Sequence, residues 1–410
     1  MNCRHCDTPL RAKEDLFLDL GIAPPSNAYL SNDDLGRGEW YLPLRVLTCA
    51  SCRLVQLDET VRRDSLFSSD YAYFSSYSSS WLAHAKRYVE LAADRLALDH
   101  SSLIVEVASN DGYLLQAVVA RGIPCVGIEP TAGTASAARA KGIETIEQFF
   151  GEGFAREFAS TRRRADLIVA NNVLAHVPDI NDFASGFREL LTADGTVTVE
   201  FPHLLELVAH AQFDTIYHEH YSYLSLHTVQ RIFAANGLRI WDVETLTTHG
   251  GSLRVWAQLA SNTRDVGPNV DAVLNAEVRA GLLTPSYYVG MQQRVERIKD
   301  DFVTFLIDAK RRGRKVMGYG AAAKGNTLLN FAGIKHDLIM AVADASPHKQ
   351  GKYLPGSRIP VVAPEVLDQL QPDYIVLFPW NLRDELMTQL AHARRWGAQF
   401  VTAVPELSIS

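Results

Sequence analysis

The stretch Ile104-Val-Glu-Val-Ala-Ser-Asn-Asp-Gly-Tyr-Leu-Leu115 decides how this chain is read. Ile104, Val105 and Val107 make an apolar run that carries one acid, Glu106; small and polar residues follow, and an apolar segment resumes near Tyr113. The pattern predicts a strand, a tight turn and the start of a helix. In a doubly wound sheet, ligands lie at the carboxyl ends of the strands, so the turn with Ser109, Asn110 and Gly112 faces a ligand. Small residues there let the backbone approach it closely. The G-x-G-x-x-G spacing is missing, so the dinucleotide fingerprint does not fit. Gly127-Ile-Glu129-Pro closes the next apolar run. An acid placed there, roughly 20 residues beyond the turn, accepts hydrogen bonds from ribose hydroxyls.

Working outward, strand-like runs at Ser102–Ala108, Val126–Glu129, Leu167–Asn171 and Val197–Phe201 alternate with helix-like segments, the first of them Trp81–Leu98. Such alternation predicts an α/β domain with a parallel sheet under helices. A second strand–helix series begins at Lys315–Tyr319 and continues with Leu338–Ala343, Asp373–Phe378 and Phe400–Val404, preceded by a long charged helix at Tyr287–Arg312. Three blocks result: 1–66, 67–244 and 245–410. With 410 residues, two or three cores are expected, since one core rarely outgrows roughly 250–300 residues.

Hydrophobic content of 47% and charged content of 21% are ordinary for a globular enzyme. A net charge of −7 without a basic run speaks against nucleic acid as a partner. No apolar run approaches the ~20 residues of a membrane span, and Met1-Asn-Cys-Arg-His-Cys does not read as a secretion signal. A cytoplasmic location is expected, with no obligate protein partner evident. Four of the five cysteines form two Cys-x2-Cys pairs, Cys3/Cys6 and Cys49/Cys52, while Cys125 sits in an apolar run. Two turns with paired thiolates make a tetrahedral site for Zn2+, closed to water and therefore structural. His5, inside the first pair, is expected to be a bystander.

The segment Ala165-Asp-Leu-Ile-Val-Ala-Asn-Asn-Val-Leu-Ala-His-Val-Pro-Asp179 resembles the fourth-strand segment of class I S-adenosylmethionine (SAM) methyltransferases. Glu106, Ser109, Asn110, Gly112, Glu129, Asn171 and His176 are thereby the candidate cofactor residues. Taken alone, His176 reads more simply as a capping or core histidine.

The chain as a whole resembles the bacterial deoxysugar C-methyltransferases, such as the C-3' methyltransferases of antibiotic sugar pathways. The resemblance is carried by the paired cysteines, Gly21-Ile-Ala-Pro-Pro-Ser-Asn-Ala-Tyr-Leu30, the Tyr71/Tyr73/Tyr77 stretch and Ser109-Asn-Asp-Gly-Tyr-Leu-Leu-Gln116. It continues through Asp214-Thr-Ile-Tyr-His-Glu-His-Tyr-Ser-Tyr-Leu-Ser225, Thr248-His-Gly-Gly-Ser-Leu-Arg254, Gly318-Tyr-Gly-Ala-Ala-Ala-Lys-Gly-Asn-Thr327 and Asp344-Ala-Ser-Pro-His-Lys-Gln-Gly351. It implies a zinc-binding domain, a Rossmann-like SAM domain and a C-terminal Rossmann-like α/β domain. A nucleotide-linked, usually thymidine diphosphate, 4-keto sugar would lie between the second and third. By resemblance His220 is the base, with Tyr217 the runner-up or a donor to the enolate oxygen. Glu219 holds the sugar, and Tyr71 anchors it from the other side.

That assignment makes chemical sense. Methylating carbon requires a carbanion or enolate, and a ketone at C-4' acidifies the neighbouring C-3' hydrogen. Histidine titrates near neutrality and suits its removal. In Tyr217-His-Glu-His-Tyr221 the histidines are two apart, unlike the zincin His-Glu-x-x-His, so a metal there is disfavoured. His218 reads as structural. In the third block the small-residue turn after Lys315–Tyr319 can cradle a diphosphate at a helix N-terminus, with Lys324 adding charge and Asn326 nearby. Tight strand–helix packing without a ligand would need the same glycines. His249 and Arg254 are further candidates for the interdomain cleft, and Asp344-Ala-Ser-Pro-His-Lys either binds substrate or closes the fold. Two competing readings are an O- or N-methyltransferase of the same fold and a zinc-bearing protein that only senses SAM.

Overall fold

The computed structural model describes residues 1–58, 75–77 and 79–410, without the side chains of residues 77 and 79. Tyr71 and Tyr73 lie outside the described residues, as does the side chain of Tyr77.

β1 (Leu16–Ala23), β2 (Leu42–Thr48) and β3 (Val55–Leu57) form an antiparallel sheet beside the cysteine pairs. The central sheet takes β4 (Ile104–Val107), β5 (Cys125–Ile128), β6 (Thr145–Ile146), β7 (Ala165–Asn171) and β8 (Leu191–Pro202), all parallel. All four residues of β4 are buried, as expected for a strand covered by helices on both faces. One cover is the helix Ser79–Leu96, which buries Ala85, Tyr88, Val89, Ala92 and Ala93, a stripe at helical spacing. Another is Ile180–Leu190, capped by the Asp179 carboxylate on the Asp182 N–H and burying Ile180, Phe183, Ala184 and Phe187.

β9 (Ser222–Tyr223) leaves this domain and pairs with β3, adding a fourth strand to the amino-terminal sheet. β10 (Leu238–Leu246) and β11 (Ser252–Leu259) then return as a hairpin whose second strand lies antiparallel to β8. The order is β6-β5-β4-β7-β8-β11-β10. In the sequence the strand-like run Gly250–Trp256 heads the third block; in the structure its strand completes the central sheet. An antiparallel return has no crossover helix, so local pattern does not tell which sheet it joins.

The last sheet holds β12 (Val316–Tyr319), β13 (Val342–Ala343), β14 (Val361–Val362), β15 (Tyr374–Leu377), β16 (Gln399–Thr402) and β17 (Ser408–Ile409). Its order is β14-β13-β12-β15-β16-β17, parallel except for β17. The expected strand Leu338–Ala343 shrinks to two residues, because the N–H groups of Leu338 and Ile339 turn back to the Lys335 carbonyl.

The blocks do not own separate cores. Cys3, Cys49, Cys52 and Leu54 pack in one cluster with Leu226, Val229 and Ile232. Phe17, Leu18 and Leu20 share another with Val295, Ile298 and Phe302 of the long helix Met291–Arg311. The amino-terminal domain is therefore seated on both of the others. No helix among the described residues is long and apolar enough to cross a membrane.

Candidate active site

Both α/β sheets have a switch point, where successive strands leave on opposite sides: between β4 and β7, and between β12 and β15. Their carboxyl ends are the expected ligand crevices. Contacts from both sides converge on residues 213–223.

From 211 to 226 every residue is buried except Tyr217 and His220, which are half-buried. The His220 ring has Nδ1 2.8 Å from the Thr215 carbonyl and Nε2 2.7 Å from the Tyr217 hydroxyl. A carbonyl only accepts, so Nδ1 carries the proton and the Nε2 lone pair accepts from the phenol. Burial, and His176 beside it, hold the His220 pKa well below its ordinary value, so the ring is neutral at pH 7. His176 lies edge-on to it with centroids 4.5 Å apart, and burial lowers its pKa to about 4. The candidate cofactor histidine thus stands in the cluster of the candidate base.

Glu219 is buried. Asn27 donates to its Oε1 at 3.2 Å, its Oε2 has no hydrogen-bond partner among the described residues, and burial pushes its pKa up to about 6. His218 has its Nε2 3.2 Å from the Pro43 carbonyl, the structural role expected of it. Asp214, also buried, accepts from the Trp380 indole at 2.7 Å, and burial raises its pKa to about 6.

Lys324 donates to Asn381 Oδ1 at 2.9 Å with its ammonium 4.4 Å from the Trp380 ring centroid; burial lowers its pKa to about 8. Its charge also disfavours protonation of His220 and His249, so it belongs to the same cavity. His249, in a left-handed conformation (φ 55°), has its ring 5.3 Å from Trp81, and burial together with Lys324 lowers its pKa to about 4.

Two further candidates are engaged within the protein. Arg254 is buried: it pairs with Glu200 at 2.5 Å and Glu244 at 2.9 Å within its own sheet, above the Tyr88 ring, with His84 Nε2 3.3 Å from its Nη2. Asn326 donates its amide to the Ser26 carbonyl at 2.7 Å, tying the third domain to the first, while its Oδ1 is buried without a partner among the described residues. The glycines of the third-domain turn also have a packing reason. A Cβ on Gly318 or Gly325 would meet Phe378 at 2.5 or 2.7 Å, and one on Gly320 would meet Pro379 at 2.5 Å.

The first crevice fits SAM. Glu129 accepts from the Asn110 N–H at 2.9 Å and the Thr131 N–H at 3.0 Å, tying the ends of β4 and β5 together. Gly112 has φ 76°, and a Cβ there would lie 2.4 Å from Ile143 Cδ1; one on Gly127 would lie 2.4 Å from Ser109 Oγ. Glu106, whose carboxyl burial and Glu129 keep protonated well above the usual range, pairs with Tyr113 through one oxygen. Its Oε2, Ser109 Oγ, Asn171 Oδ1 and both polar atoms of the Asn172 side chain are buried without partners among the described residues. An unmet buried polar atom costs about 1–3 kcal/mol, so this concentration at the ends of β4 and β7 calls for a polar ligand.

The cysteines fit zinc. All four Sγ atoms lie within 4.8 Å of one another, with Cys3–Cys52 and Cys6–Cys49 at 3.5 Å. Tetrahedral Zn–S bonds of ~2.3 Å set sulfurs roughly 3.8 Å apart. His5 turns away, its Nδ1 2.9 Å from Asn181 Oδ1. Sequence reasoning missed Asn27, Asp214, Trp380 and Asn381 as site residues. The usable signals were the place of Trp380-Asn381 just after a strand and that of Asn27 and Asp214 within segments that carry the family resemblance.

Three family models match the chain in succession: "Putative zinc binding domain" over residues 3–67, "Methyltransferase domain" over 81–243 and "C-methyltransferase C-terminal domain" over 247–405. The chain is 35% identical to the C-methyltransferase NovU of Streptomyces niveus over 407 residues, 98% of this chain and 95% of that protein. Among solved structures it is similar to magnesium protoporphyrin IX methyltransferase of Synechocystis PCC 6803 with bound SAM, with 14% identity, TM-score 0.33, and coverage of 43% of this chain and 80% of that one. It is also similar to the PH0226 protein of Pyrococcus horikoshii OT3, with 14% identity, TM-score 0.38, and coverage of 46% and 95%.

Proposed function

Because the chain belongs to the C-methyltransferase family and is a SAM-dependent methyltransferase, we propose that its acceptor is the carbon beside a ketone in a nucleotide-linked deoxysugar, most simply C-3' of a dTDP-4-keto sugar. The observation that carries this reading is the Tyr217–His220 pair: a neutral imidazole of fixed tautomer, hydrogen-bonded to a phenol, in the only half-exposed positions of a buried segment. Transfer to oxygen or nitrogen does not require acidifying a C–H bond, whereas transfer to carbon depends on a base held beside it.

In this reading the C-3' proton passes to the Tyr217–His220 pair. Desolvation keeps His220 neutral but also lowers its basicity. The enolate formed beside it offsets that loss, because an adjacent anion in a water-poor site stabilises the imidazolium. The Nδ1–H stays on the Thr215 carbonyl, so the ring does not turn as it gains charge. Glu219 Oε2 offers the sugar a hydrogen-bond acceptor, and Lys324 supplies positive charge on the enolate or diphosphate side. Glu106, Ser109, Asn110, Gly112, Glu129, Asn171 and Asn172 hold SAM, which supplies an electrophilic methyl group on sulfur. The four cysteines hold zinc away from the chemistry.

The test is incubation with SAM and a panel of 4-keto sugar nucleotides. S-adenosylhomocysteine should form, and the product's new methyl should appear on carbon by NMR. No turnover with any 4-keto sugar nucleotide, or a methyl found on oxygen or nitrogen, refutes the proposal.

A further inference from the structure

The amino-terminal domain grips the catalytic segment from outside. β9, which ends the segment, is the fourth strand of the cysteine domain's sheet, with Val55 opposite Tyr223 and Gln56 opposite Ser222. Pro43 meets His218, and Asn27 meets Glu219. The firmest hold comes from Arg4, between the first two cysteines. Its Nη1 donates to the Tyr221 carbonyl at 2.6 Å and its Nη2 to the Leu57 carbonyl at 2.7 Å, while the guanidinium lies 5.6 Å from the Tyr221 ring centroid. The Arg4 N–H donates to Gln56 Oε1 at 3.0 Å, and Gln56 Nε2 donates to Cys3 Sγ at 3.3 Å. One side chain thus joins the cysteine knuckle, the end of β3 and the residue after His220.

We propose that Arg4 is a positioning residue for the Tyr217–His220 pair. This rests on reading that pair as the base. The guanidinium holds the backbone one residue past His220, as the Nδ1–H bond to Thr215 holds the ring, so Nε2 and the Tyr217 hydroxyl keep one aim. A planar fork meets the two carbonyls with two N–H groups of fixed direction; a lysine ammonium lacks that fixed geometry. Aim matters because a misplacement of about 1 Å at a reacting pair costs on the order of 10²-fold in rate.

The experiment compares Arg4→Met, Arg4→Lys and His220→Asn in the full-length zinc-loaded protein. It reads metal content, S-adenosylhomocysteine affinity, amide hydrogen exchange over 217–223, kcat and KM. Arg4→Met should keep its zinc and its affinity, exchange faster over 217–223, and lose roughly 10–100-fold in kcat with little change in KM for SAM. Arg4→Lys should fall between it and wild type in both exchange and kcat, a graded result that a merely structural arginine would not give. Should Arg4→Met shed its zinc, Arg4→Lys decides by the same readings. A loosened segment with wild-type kcat, or a slow enzyme with wild-type exchange and full zinc, overturns the proposal. His220→Asn should be inactive with the segment fully protected. Full activity there overturns the base assignment itself, whereas unchanged Arg4 variants overturn only the positioning.

Discussion

Replacing Tyr217 by phenylalanine removes one oxygen and, with it, the hydrogen bond to His220 Nε2. The consequence for the fold is small. One hydrogen bond contributes about 1 kcal/mol net, Tyr217 is half-buried so that water can replace its hydroxyl, and His220 keeps its Nδ1 bond to Thr215. The shift in melting temperature should be no more than about 2–4 °C. The consequence for catalysis separates two assignments. A general base contributes typically 10²–10⁴-fold. If the phenol takes the proton directly and His220 only receives it onward, Tyr217→Phe loses that whole factor. If His220 is the base, Tyr217→Phe keeps an accessible Nε2 and loses no more than about tenfold, whereas His220→Asn loses the full factor. The assay follows washout of the C-3' hydrogen of a 4-keto sugar nucleotide in deuterated water, with S-adenosylhomocysteine in place of SAM. Methyl transfer is then silent, and retained S-adenosylhomocysteine binding reports an intact cofactor site. Wild-type exchange in both variants would refute the proton-abstraction argument altogether.

Arg254→Met should destabilise the protein by up to about 3–5 kcal/mol, since it leaves Glu200 in the core with His84 as its remaining partner, yet leave KM for the sugar nucleotide unchanged; a raised KM would place Arg254 at the substrate site. Gly112→Ala forces a side chain into a left-handed turn and against Ile143, so S-adenosylhomocysteine titration should show weakened binding and calorimetry a loss of roughly 1–3 kcal/mol. In the pH dependence of stability, His176 and His249 titrate at about 4 when folded and at 6.5 when unfolded. The unfolded chain therefore binds protons first as pH falls, and their contribution is full above pH 6.5 and declines toward pH 4. Asp214 and Glu219, raised to about 6, act in the opposite sense, costing stability as pH rises toward and through 6. His176→Gln should flatten the acid limb of urea midpoints measured from pH 7 to 4, and an unaltered slope would contradict the depressed value.

What could be read from the chain was whatever is encoded within a dozen residues. β4, β5 and β7 are buried parallel strands and so appear as largely apolar runs. The cysteine pairs are legible because a tetrahedral site needs two thiolates per turn. β9, β13 and β14 have two residues each and make no pattern of their own. Asn27 meets Glu219, and Trp380 meets Asp214, across 192 and 166 residues of chain, by contacts that no local signal announces. An arginine just after a glycine turn, such as Arg254, looks the same in sequence whether it faces a ligand or an acid on the next strand, and its pairing with Glu200 and Glu244 is visible only in the fold. Lys324 was read as a phosphate contact, but it lies where its charge also reaches His220 and His249.

The shared cores of the amino-terminal domain also bear on how the protein is made. Its first three strands leave the ribosome early, but the strand that pairs with β3 lies near residue 222 and the helix that covers Phe17, Leu18 and Leu20 ends at Arg311. At ~5–20 residues per second, synthesis delivers that helix roughly ten to fifty seconds after β3. For that interval the amino-terminal strands wait for their partners, with an open strand edge that invites association. A metal closing the cysteine knuckle early would shorten the exposed segment, so zinc supply during translation should govern the yield of soluble protein.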